Sequence, residues 1–165
     1  MTALVKELYL IRHARAVDHA ANDWERALQP DGRKEARTVG AALLAQQVGF
    51  DTMAVSPLVR AVETATLVAV ETHYEGGLTI DGALTPDGTT KQMLALCARL
   101  SGVSVALVGH EPSMGELLSE LVGRPGMTLV KAGVVKLLVD GTAQAGKAKL
   151  VWTMSPRHLT PTNAP

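Results

Sequence analysis

Basic side chains that could bind and transfer a phosphoryl group recur at three places in the sequence. Arg12 and His13 stand together in "LIRHA", Arg60 lies in "SPLVRAVET", and His110 lies in "LVGHEP". The planar guanidinium of arginine matches phosphate oxygens, and a neutral imidazole nitrogen can attack phosphorus and carry the phosphoryl group covalently. The four residues therefore predict a pocket for a dianion in which the charge that develops during transfer would be stabilised.

Each of the three motifs follows an apolar run that is typical of a buried strand. Such runs predict strands at 4–11, 51–55, 103–108, 134–139 and 148–153. Helical spacing of apolar residues predicts helices at 31–47, 57–70, 89–100 and 112–121. The alternation predicts an α/β fold, a three-layer α/β/α sandwich whose mostly parallel sheet has an antiparallel edge formed by the last two strands. Because the carboxyl ends of parallel strands meet at one edge of the sheet, the three motifs are expected to converge.

The totals of the sequence restrict its class. A length of 165 residues suits a single domain, which we expect over residues 1–158, with residues 159–165 as a frayed tail. Sixteen basic and sixteen acidic side chains give zero net charge, so nothing predicts a nucleic-acid or membrane partner. Cys97 is the only cysteine, and the N-terminal stretch is too charged for a signal peptide; together they predict a cytoplasmic protein.

The two histidines could instead be metal ligands. No cysteine pair, H-x-x-x-H motif or carboxylate cluster accompanies them in the sequence, and the adjacent arginines would repel a cation. We therefore predict that the site holds no metal.

These segments resemble the signatures of the histidine phosphatase superfamily, which includes cofactor-dependent phosphoglycerate mutases and acid phosphatases. "LIRHA" is similar to its Arg-His-Gly signature, "SPLVRAVET" to its second arginine segment and "LVGHEP" to its second histidine segment. "DWERALQPDGRKEA" and the closing "WTMSPRHL" resemble the small SixA-type branch of phosphohistidine phosphatases. The resemblance extends over nearly the whole chain.

The resemblance implies a phosphoglycerate mutase-like fold and assigns roles to the four basic residues. His13 would be the nucleophile, and Arg12, Arg60 and His110 would form the phosphate pocket, which a phosphate or sulfate ion could also occupy. It further implies that there is no cofactor, and that the substrate is a histidine-containing phosphotransfer protein of a phosphorelay, dephosphorylated through a covalent phosphohistidine intermediate.

The chain departs from the family pattern at two points. Ala14 replaces the signature glycine, so the loop either has an ordinary backbone there or carries modest strain. The stretch "TIDGALTPDG" lacks the glutamate that protonates the leaving group in larger members and offers only Asp81 and Asp87, while Asp23 is a third candidate proton donor.

A weak proton donor bears on the substrate. The leaving imidazole of phosphohistidine can already be protonated, so a phosphoramidate needs less acid catalysis than an alkyl phosphate. Two alternatives stay open: a phosphatase of small phosphate monoesters or nucleotides, and a non-catalytic phosphate-recognition module. Two further residues are candidates for supporting roles, Glu63 in orienting the pocket and Trp24 in packing or recognition beside it.

Overall fold

The residues that the computed structural model describes, 5–164, form one mixed β-sheet with two helices on each face. The strands are β1 Val5–Arg12, β2 Thr52–Val55, β3 Leu78–Ile80, β4 Ser104–Gly109, β5 Val134–Asp140, β6 Ala148–Ser155 and β7 His158–Asn163. The helices are α1 Pro30–Ala45, α2 Val59–Glu71, α3 Thr90–Arg99 and α4 Ser113–Val122. The order of the strands across the sheet is β3-β2-β4-β1-β5-β6-β7.

The strand directions make the prediction of a mostly parallel sheet approximately right. β3, β2, β4 and β1 pair in parallel, while β5, β6 and β7 add three successive antiparallel pairings. β6 therefore runs in the same direction as β1, and only β5 and β7 of the described strands run against it. The expected antiparallel pairing of β5 with β6 is present, but the edge strand is β7.

Two strands, β3 and β7, are not predicted from the sequence. β3 is only three residues long and half-exposed, so it lacks a continuous apolar run. Residues 159–163, expected to belong to a frayed tail, lie in β7, which pairs with β6. Pro161 lies in this strand, and an edge strand tolerates proline because one side of it has no partner. Pro165 and residues 1–4, including the first residue of the predicted strand 4–11, lie outside the described residues.

The core lies on both faces of the sheet. Leu8 and Leu10 of β1 pack in the cluster that holds the apolar faces of α3 and α4. Tyr9 and Ile11 pack in the cluster that holds α1 and α2. Alternate residues of one strand thus enter opposite cores, as the three-layer prediction requires. Within residues 5–164, no helix is both long enough and apolar enough to cross a membrane.

Candidate active site

The two histidines lie side by side because their strands are neighbours in register. β1 and β4 pair in parallel with Arg12 opposite Gly109, so the residues that follow, His13 and His110, leave the sheet together. The amide of His13 donates to the carbonyl oxygen of Gly109 at 3.0 Å, and the two imidazole centroids are 5.0 Å apart. Both histidines are almost fully buried: His13 is 7% exposed and His110 is 1% exposed.

The ring of His13 has a defined tautomer. Its Nδ1 lies 2.7 Å from the carbonyl oxygen of Ala14, which can only accept a hydrogen bond, so Nδ1 carries the proton. The lone pair is consequently on Nε2, the nitrogen available for nucleophilic attack. The amide of Ala14 in turn donates to the hydroxyl of Thr64 at 3.0 Å, and Thr64 donates to the carbonyl oxygen of Arg60.

Alanine at position 14 has an ordinary backbone. Non-glycine residues with positive φ in the described chain are Gln47, His73 and Ala132, so Ala14 is not in the left-handed region. Its methyl group is buried in the core beneath the site. Of the two alternatives that the sequence left open, the structure has the unstrained one.

The two arginines are held from different segments of the chain. Arg12 donates through Nη1 to the carbonyl oxygen of Leu129 at 2.9 Å, and its buried Nε has no partner among the described residues. The nearly buried Arg60 donates through Nη1 to the carbonyl oxygen of Asp23 at 2.8 Å and through Nη2 to the Asp23 carboxylate at 3.1 Å. An oxyanion beside Arg12 would satisfy the free donor at Nε.

His110 has one paired and one unpaired nitrogen. Nε2 lies 2.8 Å from the hydroxyl oxygen of Ser56, the residue that follows β2. Nδ1 is buried without a hydrogen-bond partner in residues 5–164. The site therefore holds two buried nitrogens that lack a partner, this atom and the Nε of Arg12, in a region with the positive charge of two arginines.

The electrostatics of the site keep both histidines neutral. Burial, together with the charges of Arg60 and Arg12, lowers the pKa of His13 from 6.5 to about 4. Burial and the neighbouring His13 and Arg60 lower the pKa of His110 to about 3. At neutral pH, His13 therefore has the free lone pair that nucleophilic attack requires.

The lowered pKa values predict a specific response to acid. In an NMR titration of the free protein, the ring resonances of His13 and His110 are expected to stay constant between about pH 7 and pH 5, where an ordinary imidazole titrates. The unfolded chain binds protons at about pH 6.5 and the folded histidines do not, so the free energy of unfolding should fall as the pH decreases below that value. Circular dichroism at each pH provides the control for unfolding, and titration of either ring near pH 6.5 in the folded protein would contradict the prediction.

Comparison with known proteins assigns the chain to a family. The family described as the histidine phosphatase superfamily (branch 1) matches residues 8–85. The phosphohistidine phosphatase SixA of Escherichia coli is 28% identical over 159 residues, 93% of this chain and 96% of that protein. A SixA homologue of Haemophilus influenzae is 34% identical over 145 residues, 81% of this chain and 88% of that protein. The chain belongs to the histidine phosphatase superfamily.

A solved structure extends the similarity to the fold. SixA in complex with tungstate superposes with a TM-score of 0.81 at 28% identity, covering 93% of this chain and 99% of that one. The phosphoglycerate mutase-like fold and the assignment to the SixA-type branch of histidine phosphatases are thus confirmed. The family match at 8–85 includes Arg12, His13 and Arg60, and the SixA similarity extends along nearly the whole chain.

The three aspartates considered as proton donors have different surroundings. Asp23 accepts hydrogen bonds from Arg26 and Arg60, which lower its pKa, so this phosphatase holds Asp23 as an anion that orients Arg60. Asp81 pairs with Arg99 at 2.9 Å, and Asp87 is exposed. A proton-donor role for Asp23 stays a prediction, although the geometry favours the orienting role.

Sequence reasoning overlooked the residues that hold these groups. Ser56, Thr64 and Glu111 are not among the residues that the sequence singles out. Each is a polar residue within a quoted motif, which is the signal that could have identified it. Glu111 accepts from the amide of Leu129 at 3.0 Å and so holds the carbonyl that binds Arg12.

Glu63, a candidate for orienting the pocket, acts on the loop beside it. Its carboxylate accepts from the amide of Leu28 at 2.6 Å and from Arg33 at 2.7 Å. The bond from Leu28 fastens the β1–α1 loop, residues 13–29, to α2, and the bond from Arg33 joins α1 to α2. Because Asp23 lies in this loop, Glu63 orients the pocket through the loop rather than through a contact with Arg60. In the described chain, no group of three or more histidine, cysteine or acidic residues is arranged to hold a metal.

Proposed function

We propose that this histidine phosphatase hydrolyses phosphohistidine on a histidine-containing phosphotransfer protein through a covalent phospho-His13 intermediate. The observation that carries the proposal is the neutral His13 ring, with its proton fixed on Nδ1 and its Nε2 free beside two arginines. The Escherichia coli relative is the phosphohistidine phosphatase SixA and the Haemophilus influenzae relative is a homologue of it, and tungstate in the SixA structure is an oxyanion similar to phosphate.

The proposed reaction has two displacements at phosphorus. Arg12, Arg60 and His110 bind the phosphoryl oxygens, and Nε2 of His13 forms a bond to phosphorus as the phosphorus–nitrogen bond of the substrate breaks. The leaving imidazole keeps the bonding electron pair and departs neutral if it is already protonated on its other nitrogen or takes a proton. Water then attacks phosphorus and loses a proton, and the bond to His13 breaks, which regenerates the neutral ring and releases phosphate.

The carboxylates around the pocket favour a phosphoramidate over an alkyl phosphate. Asp23 is charged, and although burial raises the pKa of Glu111, one of its carboxylate oxygens is already occupied by the hydrogen bond from the amide of Leu129. An alkoxide leaving group would need a proton from one of these groups, whereas an imidazole leaving group makes a smaller demand. Phosphohistidine therefore fits the site better than a sugar phosphate or a nucleotide.

Exposed apolar residues at the site favour a protein substrate. Trp24 follows Asp23, which binds Arg60, and is 54% exposed; Val130 follows Leu129, which binds Arg12, and is 58% exposed. Exposed aromatic and aliphatic groups of this kind are typical of protein contacts. We place the reaction in the cytoplasm, where phosphorelay proteins carry phosphohistidine.

Comparing substrates tests the proposal. The phosphatase is expected to have a kcat/KM for a phosphorylated phosphotransfer protein at least about a hundredfold above that for a sugar phosphate or a nucleotide. Higher kcat/KM for the sugar phosphate or nucleotide would overturn the proposed substrate.

A variant of the exposed tryptophan separates a protein substrate from a small one. Trp24→Ala is expected to raise KM for the protein substrate roughly tenfold and to leave hydrolysis of free phosphohistidine unchanged. Val70→Ala changes an exposed apolar residue on α2 and is the matched control. An equal loss on both substrates would place Trp24 in the structure of the pocket instead of in protein recognition.

A further inference from the structure

Ser56 is a buried hydroxyl whose place in the sheet brings it to His110. β2 and β4 are parallel neighbours with Val55 opposite Val108, and the amide of Ser56 continues the pairing by donating to the carbonyl oxygen of Val108 at 3.0 Å. The side chain is fully buried, with its Oγ 2.8 Å from Nε2 of His110 and 3.3 Å from the amide nitrogen of Leu58. The hydroxyl therefore lies between a backbone donor and an imidazole nitrogen.

The hydrogen atom between Ser56 and His110 can belong to either partner. If Nε2 of His110 donates it, the hydroxyl hydrogen of Ser56 has no acceptor in residues 5–164, and Nδ1 of His110 presents a lone pair. If the hydroxyl donates it, Ser56 accepts from Leu58 and donates to His110, and Nδ1 carries the remaining proton of the neutral ring. Only the second arrangement satisfies every polar atom of Ser56.

The second arrangement also suits an anion. Nδ1 of His110 is buried and has no partner in the described chain, within a site that contains Arg12 and Arg60. For a neutral ring, the tautomer decides whether this nitrogen attracts or repels a phosphoryl oxygen, since an N–H group donates and a lone pair does not. A phosphoryl oxygen would satisfy the N–H group at the point where the protein supplies no acceptor.

We propose that Ser56 is a positioning residue whose hydroxyl donates to Nε2 of His110 and so fixes the tautomer that presents an Nδ1–H donor to the phosphoryl group. The inference rests on the proposed function in taking a phosphoryl group as the ligand of His110. Ser56 acts through His110 and does not itself contact the substrate.

Nitrogen-15 NMR of the free protein tests the tautomer directly. Wild-type His110 is expected to have a proton on Nδ1 and none on Nε2, and Ser56→Ala is expected to shift the ring to a mixture of both tautomers. Ser56→Thr retains a hydroxyl and is expected to restore the wild-type pattern. A wild-type ring protonated on Nε2, or a Ser56→Ala ring that stays protonated on Nδ1 alone, overturns the proposal; the wild-type spectrum decides even if the alanine variant does not fold.

Binding of inorganic phosphate tests the consequence for the pocket. Ser56→Ala is expected to weaken phosphate binding by at least about twofold, because the apparent affinity falls with the fraction of His110 rings that carry a proton on Nδ1. Ser113→Ala is the matched control, since this buried hydroxyl donates to the backbone oxygen of His110 and not to its ring. Equal losses in the two variants would overturn the role of the tautomer. The phosphate experiment does not depend on turnover, so it separates this proposal from a failure to hydrolyse phosphohistidine.

Discussion

Replacement of His13 by alanine is expected to lower kcat/KM for a phosphohistidine protein by at least about 10⁴-fold, the scale of losing a catalytic nucleophile. The reason is that Nε2 of His13 would form the bond to phosphorus, and the structure fixes the proton of this ring on Nδ1, opposite the carbonyl oxygen of Ala14. Removal of the imidazole leaves the two arginines and His110 in place. The variant should therefore bind phosphate and fail in chemistry.

Trapping of the intermediate provides the second measurement of this prediction. Wild-type protein incubated with radiolabelled phosphohistidine substrate and quenched in base should carry a phosphoryl group that acid removes, and His13→Ala should carry none. His19→Ala is the control, because His19 is an exposed histidine of the β1–α1 loop. Label on neither protein, together with retained phosphate binding, would favour the alternative of a phosphate-recognition module.

The principal residues of the site could be predicted from the sequence because they depend on strand ends. An apolar run that stops at Arg12, and another that stops before His110, specify two buried strands, and parallel pairing then brings the residues that follow into contact. Arg60 follows from the same reasoning, as it lies near the start of the helix after β2. Local sequence and one topological rule were sufficient for these positions.

The bonds that orient these residues could not be predicted in the same way. Arg60 binds Asp23, which lies 37 residues earlier, and Arg12 binds the carbonyl of Leu129, which lies 117 residues later. Such contacts depend on loop conformations that no periodic pattern encodes. Likewise, β7 depends on the free edge of β6 and not on its own composition, "HLTPTN".

Arg60→Ala is expected to lower kcat/KM by about 10³-fold, because the guanidinium would stabilise charge on the transferring phosphoryl oxygens in a nearly buried site. Arg60→Lys is expected to recover little of this activity, since an ammonium group cannot donate through two nitrogens in a fixed plane. The matched control is Arg99→Ala, which removes an exposed arginine that is also paired with an aspartate. Wild-type activity in Arg60→Ala would contradict the assignment of Arg60 to the phosphate pocket.

A variant of Asp23, the residue that binds Arg60, distinguishes two roles of this carboxylate. If Asp23 orients Arg60, Asp23→Asn keeps the side-chain oxygen and the backbone carbonyl that accept from the guanidinium, and kcat/KM should fall by less than about tenfold. If Asp23 is the proton donor, the same variant should lose about 10²- to 10⁴-fold, and the loss should be greater for an alkyl phosphate than for phosphohistidine. We expect the smaller loss, because Arg26 and Arg60 lower the pKa of Asp23 and stabilise its anion. Measurement of kcat/KM for both substrates with this single variant therefore decides between an orienting carboxylate and an acid catalyst.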